Sequence, residues 1–371
     1  MDAPIPPTAL PRSDEDMLDW LRLIRSRRVG PTTFLRLIRQ FGSVREALAA
    51  LPDIAADAGV KNYQVTSRQA VQAEWRASVA LGAEPLFLGS PEYPESLYDL
   101  PDMPPVLWCL GRSELLYRPT IALVGARNAS AVGKRMATAL ARDLGELGYV
   151  VVSGLARGID AAAHQAALAS GTIAVQAGGI DVVYPKENAD LTLRIGEEGL
   201  RVSEMPPGTS PQARHFPSRN RIIAGLASAI VVVEAAAKSG SMITARNALD
   251  IGRDVMAVPG SPLDARAQGC NNLIRDGALL IRDAGDVHAA LAPPVTQPDL
   301  PLDTSPQPVP PQNTSSLPDQ LLSLLSPTPL PEDFVIRNAG GDATRVMAAL
   351  AELDLSGKIE RHPGGLVALA V

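Results

Sequence analysis

The run Ile121-Ala122-Leu123-Val124-Gly125-Ala126-Arg127-Asn128-Ala129-Ser130 decides how this chain folds. Four apolar residues without polar alternation read as a strand buried on both faces, as a sheet covered by helices on both sides requires. A glycine closes the strand, and a helical pattern over Lys134–Leu147 follows. The unit recurs through residues 119–290. Further buried strands are expected at Val150–Val152, Ile173–Val175, Ile230–Val233 and Val255–Val258, with shorter ones at Arg201–Ser203 and Leu279–Ile281. Helices are expected between them at Ile159–Ala169, Leu191–Glu198, Asn220–Ala227 and Met242–Ile251. This alternation predicts an α/β fold, an extended Rossmann-like, mainly parallel sheet with helices on both faces.

Outward from that domain, residues 85–118 are rich in proline and read as an irregular, extended lead-in that packs against it, giving a Rossmann-like unit over 85–290. Met17, Trp20, Leu21 and Ile24 share one helical face. Phe34, Leu35, Leu37, Ile38 and Phe41 begin another helix, and Gly42-Ser43 offers a stop and a new N-cap. An all-α domain over 13–82 follows. Arg27-Arg28-Val29-Gly30 between its helices is read as a solvated turn in preference to a helix–hairpin–helix DNA contact. Residues 1–12 are expected to be disordered, and 291–316 form a Pro-rich linker. Residues 317–371 read as helix (Asp319–Leu325), turn, helix, helix (Asp342–Leu353), then a hairpin turning at Pro363-Gly364-Gly365, the order of a winged helix.

Composition narrows the function. Of 371 residues 46% are apolar and 20% charged, as in soluble globular proteins. Cys109 and Cys270 supply neither metal spacing nor a disulfide framework, and the four histidines are scattered. The start, Met1-Asp2-Ala3-Pro4, lacks a charged and then apolar leader, and no apolar run has membrane-spanning length, so a cytoplasmic setting is expected. The net charge of −6 argues against nucleic acid until its distribution is read. Residues 119–290 carry 17 basic and 16 acidic side chains, whereas residues 291–371 carry 4 and 9. No acid lies between Glu114 and Asp143, or between Glu204 and Glu234, and those gaps hold Arg127, Lys134, Arg135, Arg214, Arg219 and Arg221. Local basic patches bind phosphates on an acidic protein.

Ligands of open parallel sheets bind beyond the carboxyl ends of the strands, where small and polar residues gather here. Gly125, Ala126 and Arg127 close the first strand, with Ser130 before a helix whose free N–H groups favour anions. Gly154, Ala156, Arg157 and Gly158 form a second such turn. Asp160 and His164, four apart on the following helix, are read as structural in preference to an acid–base pair. Gly178-Gly179, with Tyr184-Pro185 after it, makes a third turn, which sheet–helix packing alone explains. The basic loop from His215 to Gly225 places Phe216 beside Arg219, Asn220 and Arg221. Phosphate-reading cations next to a stacking surface suit single-stranded nucleic acid. Ser239, Gly240 and Ser241 open a last helix with hydroxyls and amides. Glu204 and Glu234, both at strand ends, leave open a pair of carboxylates acting on a glycosidic bond; each could equally cap a loop or hold an arginine. No Walker-type phosphate loop occurs, and no Gly-x-Gly-x-x-Gly follows the first strand.

Taken as an ordered set, Ile121–Arg127, Val152–Asp160, Phe216–Leu226, Val233–Ala235 with Ser239–Ser241, and Ala257-Val258-Pro259-Gly260 resemble the DprA (Smf) family over about residues 90–283. The flanks resemble that family's sterile-alpha-motif-like N-terminal domain and its C-terminal winged helix. The resemblance implies a non-enzymatic protein that needs no cofactor or metal. Such a protein protects incoming single-stranded DNA during natural transformation and loads the RecA recombinase onto it. It also implies a homodimer joined through the later part of the Rossmann-like domain, near Leu263–Ile281, and a DNA pocket built from Arg127, Gly154–Gly158, Phe216–Arg221 and Ser239–Ser241. Ala126 stands where the family commonly has Ser or Thr, losing a hydroxyl but keeping the backbone amide, and Ala213 stands where some relatives carry lysine. Two other readings remain: a nucleotide-processing, phosphoribohydrolase-like enzyme, and a scaffold whose acidic winged helix recruits a partner.

Overall fold

The computed structural model describes residues 10–292, 316–340 and 342–370. The Pro-rich start and the linker expected at 291–316 therefore fall, but for their borders, outside the described residues. Four helices come first: α1 (Asp14–Arg25), α2 (Pro31–Phe41), α3 (Val44–Asp57) and α4 (Arg68–Ala80). Ser13, Ser43 and Ser67 cap α1, α3 and α4, each side chain accepting a backbone N–H of the first turn. α2 ends at Gly42, whose φ of 75° terminates the helix in the left-handed region.

The lead-in is not irregular. β1 (Glu84–Phe87) and β2 (Val106–Gly111) pair with each other antiparallel, and β2 pairs antiparallel with a strand of the main sheet. Pro85 occupies the outermost strand, the place where a missing N–H is tolerated. Trp108 of β2 donates its Nε1 proton to Glu74 of α4 at 2.9 Å, and Trp20, Phe34, Phe87 and Trp108 are buried in one core. The helical block and the sheet thus belong to one compact unit that runs to Pro293.

The main sheet adds β3 (Thr120–Gly125), α5 (Ala131–Glu146), β4 (Val150–Ser153), α6 (Ile159–Ala167), β5 (Thr172–Gln176), α7 (Ala189–Glu198), β6 (Leu200–Ser203), α8 (His215–Leu226), β7 (Ala229–Glu234), α9 (Gly240–Asp250), β8 (Asp254–Ala257), α10 (Gln268–Arg275), β9 (Leu279–Leu280) and α11 (Ala284–Leu291). Its order is β1-β2-β6-β5-β4-β3-β7-β8-β9, parallel from β6 to β9. Strands β3, β4, β5 and β7 are buried throughout, as their unbroken apolar runs require. Two expectations need correction. α8 begins at His215 rather than Asn220, so the basic stretch is helix and not loop; Pro217 sits in its first turn, where proline costs no hydrogen bond. Helices α10 and α11 were not anticipated.

The second unit, described by itself, holds α12 (Leu317–Leu324), β10 (Leu330–Pro331), α13 (Glu332–Asn338), α14 (Ala343–Leu355), β11 (Ile359–His362) and β12 (Leu366–Leu369). Its three strands run β10-β12-β11 over a core that includes Leu321, Val346, Leu350 and Val367, a winged-helix arrangement. Among the described residues no helix is long and apolar enough to cross a membrane.

Candidate functional site

Because β3, β4, β5 and β7 run parallel, the loops after them converge on one side of the sheet, and the first turns of α8 and α9 close the ring. They enclose a cleft of two adjoining chambers. One, of about 840 Å³, is lined by Gly154, Arg157, Tyr184, Lys186 and Ser210 among others. The other, of about 670 Å³, is lined by Asn128, Asn220, Ser239, Gly240, Ser241 and Arg266 among others. Arg127, Ala156, Phe216 and Arg219 line both and form the partition. The Arg127 guanidinium lies 4.9 Å from the centroid of the Phe216 ring, a cation–π contact, and the Tyr184 ring centroid is 5.9 Å from that of Phe216.

Arg219 carries the strongest chemical signal. Its residue is 6% exposed, yet Nε and Nη1 have no hydrogen-bond partner. Burial lowers its pKa to about 10, opposed by the Asp160 carboxylate and assisted by Arg127, so it stays charged at neutral pH. A buried cation with two idle donors is costly unless an anion meets it. Gly154 makes room for it, since a Cβ there would fall on the Arg219 Nη1. Ser239 adds a second orphan, a buried hydroxyl without a partner at the start of α9.

The glycine turns serve differently from the sequence reading. The Ala126 N–H donates to the Glu234 carbonyl oxygen at 2.6 Å, and the Ser130 N–H donates to Glu234 Oε2 at 2.9 Å. The amide expected to remain at Ala126 is therefore already used. Ser130 caps α5 by accepting the Gly133 N–H and lies off the cleft wall. In the second turn the Asp160 carboxylate accepts the N–H groups of Gly154 and Ala156 at 3.1 and 3.3 Å. An internal anion thus fills the backbone cradle that was assigned to phosphate, while Gly158 (φ 80°) presses this turn against the Ala126 carbonyl. Gly125 packs on Ile159, and its carbonyl accepts the Ser241 hydroxyl at 2.8 Å. Arg157 reaches Glu187 at 3.3 Å on the surface, and Asn220 Nδ2 donates to the Gly240 carbonyl at 3.3 Å.

Arg221 departs most from expectation. It lies outside both chambers, with Nη2 donating to both Glu204 oxygens at 2.8 Å and Nε 2.8 Å from Asp102. Glu204 holds an arginine, and Glu234 holds a loop and stands 3.3 Å from Arg266. Neither carboxylate is free of a structural partner. Sequence reasoning missed Tyr184, Lys186, Asn128 and Arg266; the run Tyr184-Pro185-Lys186 after the third glycine turn was the available signal. Among the described residues no group of His, Cys, Asp and Glu could hold a metal.

His164 is structural. Its Nε2 accepts the Leu155 N–H at 3.3 Å, and Nδ1 meets Thr172 Oγ1 at 2.7 Å. The Thr172 hydroxyl is committed to the Val151 carbonyl, so Nδ1 carries the proton and the ring is neutral. Burial, with Arg219 nearby, pushes its pKa from 6.5 down to about 3. A depressed histidine leaves stability intact above pH 6.5 and erodes it as pH falls from there toward 3. Relative to His164→Gln, the wild type should lose roughly 3 kcal/mol of unfolding free energy between pH 7 and 4.5, read by denaturant titration. Parallel pH profiles for the two proteins would contradict the neutral assignment.

Comparison with known proteins places this geometry. The family model for DNA recombination-mediator protein A matches residues 84–292, one for a DprA-like N-terminal HHH domain matches 14–77, and one for the DprA winged helix domain matches 305–365. The helical N-terminal block is as expected, but the matching model describes it as HHH rather than sterile-alpha-motif-like. DNA processing protein DprA of Streptococcus pneumoniae is 47% identical over 199 residues, 53% of this chain and 70% of that protein. The X-ray structure of that species' DprA superposes with a TM-score of 0.63 at 35% identity, covering 76% of this chain and 98% of that one. DNA processing protein A from Helicobacter pylori, solved to describe its single-stranded DNA binding mode, gives a TM-score of 0.52 at 30% identity, over 56% of this chain and 95% of that one.

Proposed function

Because this chain belongs to the DNA recombination-mediator protein A family, we propose that it binds single-stranded DNA in the two-chambered cleft, without catalysis. The observation that carries the reading is Arg219, a buried guanidinium with two idle donors in the wall shared by both chambers. A phosphate of the strand satisfies those donors. Arg127, Lys186 and the start of α9 supply further anion contacts, and Phe216 and Tyr184 offer rings for bases. Gly125, Ala126, Gly154 and Ser241 line the cleft, while Ser130 and Gly158 hold the turns behind it. Arg127→Ala should weaken binding to labelled oligo-dT about tenfold, alike across sequences, with a shallower salt dependence. Unchanged binding would remove Arg127 from the pocket.

The finer role follows the family: protection of incoming single strands in the cytoplasm during DNA uptake, and loading of RecA onto them. A homodimer through the later part of the domain is supported by the free edge at β9, where Leu279 and Leu280 are half-exposed and Leu263 is 97% exposed. Ile281, by contrast, is buried in the core beside the sheet. Leu263→Glu with Leu280→Glu should convert a dimer to a monomer by light scattering.

The enzymatic reading loses support from the pairing of Glu204 with Arg221 and of Glu234 with Ser130 and Arg266. Release of a free base from nucleoside monophosphates by the wild type, abolished in Glu234→Gln, would revive it. The recruitment reading keeps one observation: on the winged helix Phe334, Met347 and Leu355 are exposed, while Arg361 is neutralised by Glu332 and Asp354.

A further inference from the structure

Ser13, Ser43, Ser67 and Ser130 cap α1, α3, α4 and α5, each hydroxyl accepting a first-turn N–H. Ser239 holds the same place before α9, with extended backbone, yet its buried hydroxyl makes no cap bond and has no partner among the described residues. The first N–H groups of α9, at Gly240 and Ser241, are therefore left uncapped at the positive end of the helix. Arg219 lines the same chamber with Nε and Nη1 unpartnered, although the residue is only 6% exposed. That chamber has a particular place in the topology. β3 and β7 are neighbours; β4, β5 and β6 follow on one side, β8 and β9 on the other. The helices after the two strands take opposite faces, α5 sharing a core with Ile121 and Leu123 and α9 with Ala122 and Val124. A crevice opens where the strand order reverses. The chamber of about 670 Å³ lies there, between Gly125–Asn128 after β3 and Ser239–Ser241 after β7.

We infer that this crevice takes a phosphate monoester, borne by the end of a strand or by a free nucleotide, in preference to a phosphate within a strand; this rests on reading the cleft as the DNA site. A phosphate within a strand carries a single negative charge and two oxygens free to accept. A terminal phosphate carries a charge of about −1.5 to −2 at neutral pH and three accepting oxygens. Two idle guanidinium donors, one hydroxyl and two helix N–H groups suit the larger set. The helix start favours the greater charge. Arg127 and Arg266 add positive charge to the wall. The one carboxylate in that wall, Asp160, is turned onto the N–H groups of Gly154 and Ala156.

The test is a competition on the full-length chain, read by anisotropy of an internally labelled oligo-dT. Competitors are unlabelled oligo-dT with hydroxyl ends, with a phosphate at either end, or with that phosphate capped as its methyl ester, and also dTMP and thymidine. A phosphorylated end should compete about tenfold better than a hydroxyl end, and capping should remove the gain, because the methyl ester is again a diester. An advantage confined to oligonucleotides names the strand end as ligand. Displacement by dTMP but not thymidine, without an end effect, names a free nucleotide. In Ser239→Ala, with folding followed by thermal melting, the advantage should shrink to about threefold or less. Equal competition by all ends with no displacement by dTMP would overturn the inference. So would an advantage that survives capping, or one that Ser239→Ala leaves whole. Binding of the hydroxyl-ended strand is read separately and tests the cleft by itself.

Discussion

Replacing Arg219 by methionine should lower affinity for oligo-dT about 100-fold while leaving the melting temperature unchanged or raised. Each hydrogen bond from a buried guanidinium to a phosphate contributes roughly 1.5–3 kcal/mol, and two idle donors are at stake. Without DNA the same donors are a liability, desolvated and unpaired, at roughly 1–3 kcal/mol. Methionine fills the channel over Gly154 with apolar volume and removes that cost. Asp160 loses the Coulombic support of Arg219 but keeps its two backbone N–H partners, so the second turn persists. Binding and stability thus move in opposite directions, the signature of a residue kept for its ligand rather than for the fold. A variant that melts far below wild type but binds oligo-dT normally would reverse the assignment.

Two residues along α8, Arg221→Met should do the reverse. Arg221 is the partner of Glu204 and Asp102 in a largely buried network. Its loss leaves the Glu204 carboxylate buried and unpaired, at a cost of roughly 3–5 kcal/mol. Burial already raises the Glu204 pKa against the pull of Arg221. Without the arginine it rises further, so the neutral acid favours the fold and the penalty shrinks as pH falls. Affinity of the folded fraction for oligo-dT should stay within about twofold of wild type. Chemical denaturation at pH 7.5 and 5, alongside anisotropy, reads both. Normal stability with lost DNA binding would return Arg221 to the cleft.

The contrast between these arginines shows where sequence stops being legible. Both sit in one basic run, and read as a loop they are equivalent. On a helix, two residues are about 200° apart, so one faces the cleft and the other faces the Asp102 loop. Placing the helix start at Asn220 rather than His215 hid that geometry. The strands of the parallel sheet were legible because residues buried on both faces leave unbroken apolar runs such as Ile121–Val124. β1 and β2 were not, since prolines at 85, 104 and 105 mask the outermost strand and its neighbour, which local pattern cannot pair. The glycine turns were found, but not that Glu234 and Asp160 occupy their amides. That depends on side chains arriving from elsewhere in the fold or a turn later, which spacing alone does not fix.

The most direct test of the central claim is fluorescence anisotropy of labelled oligo-dT across a salt series, with wild type and Arg219→Met measured side by side. The proposed cleft requires binding that weakens steeply as salt rises and that is lost in a variant which still melts like the wild type. Equal binding by the two proteins, or no binding of oligo-dT by the wild type at low salt, would contradict it.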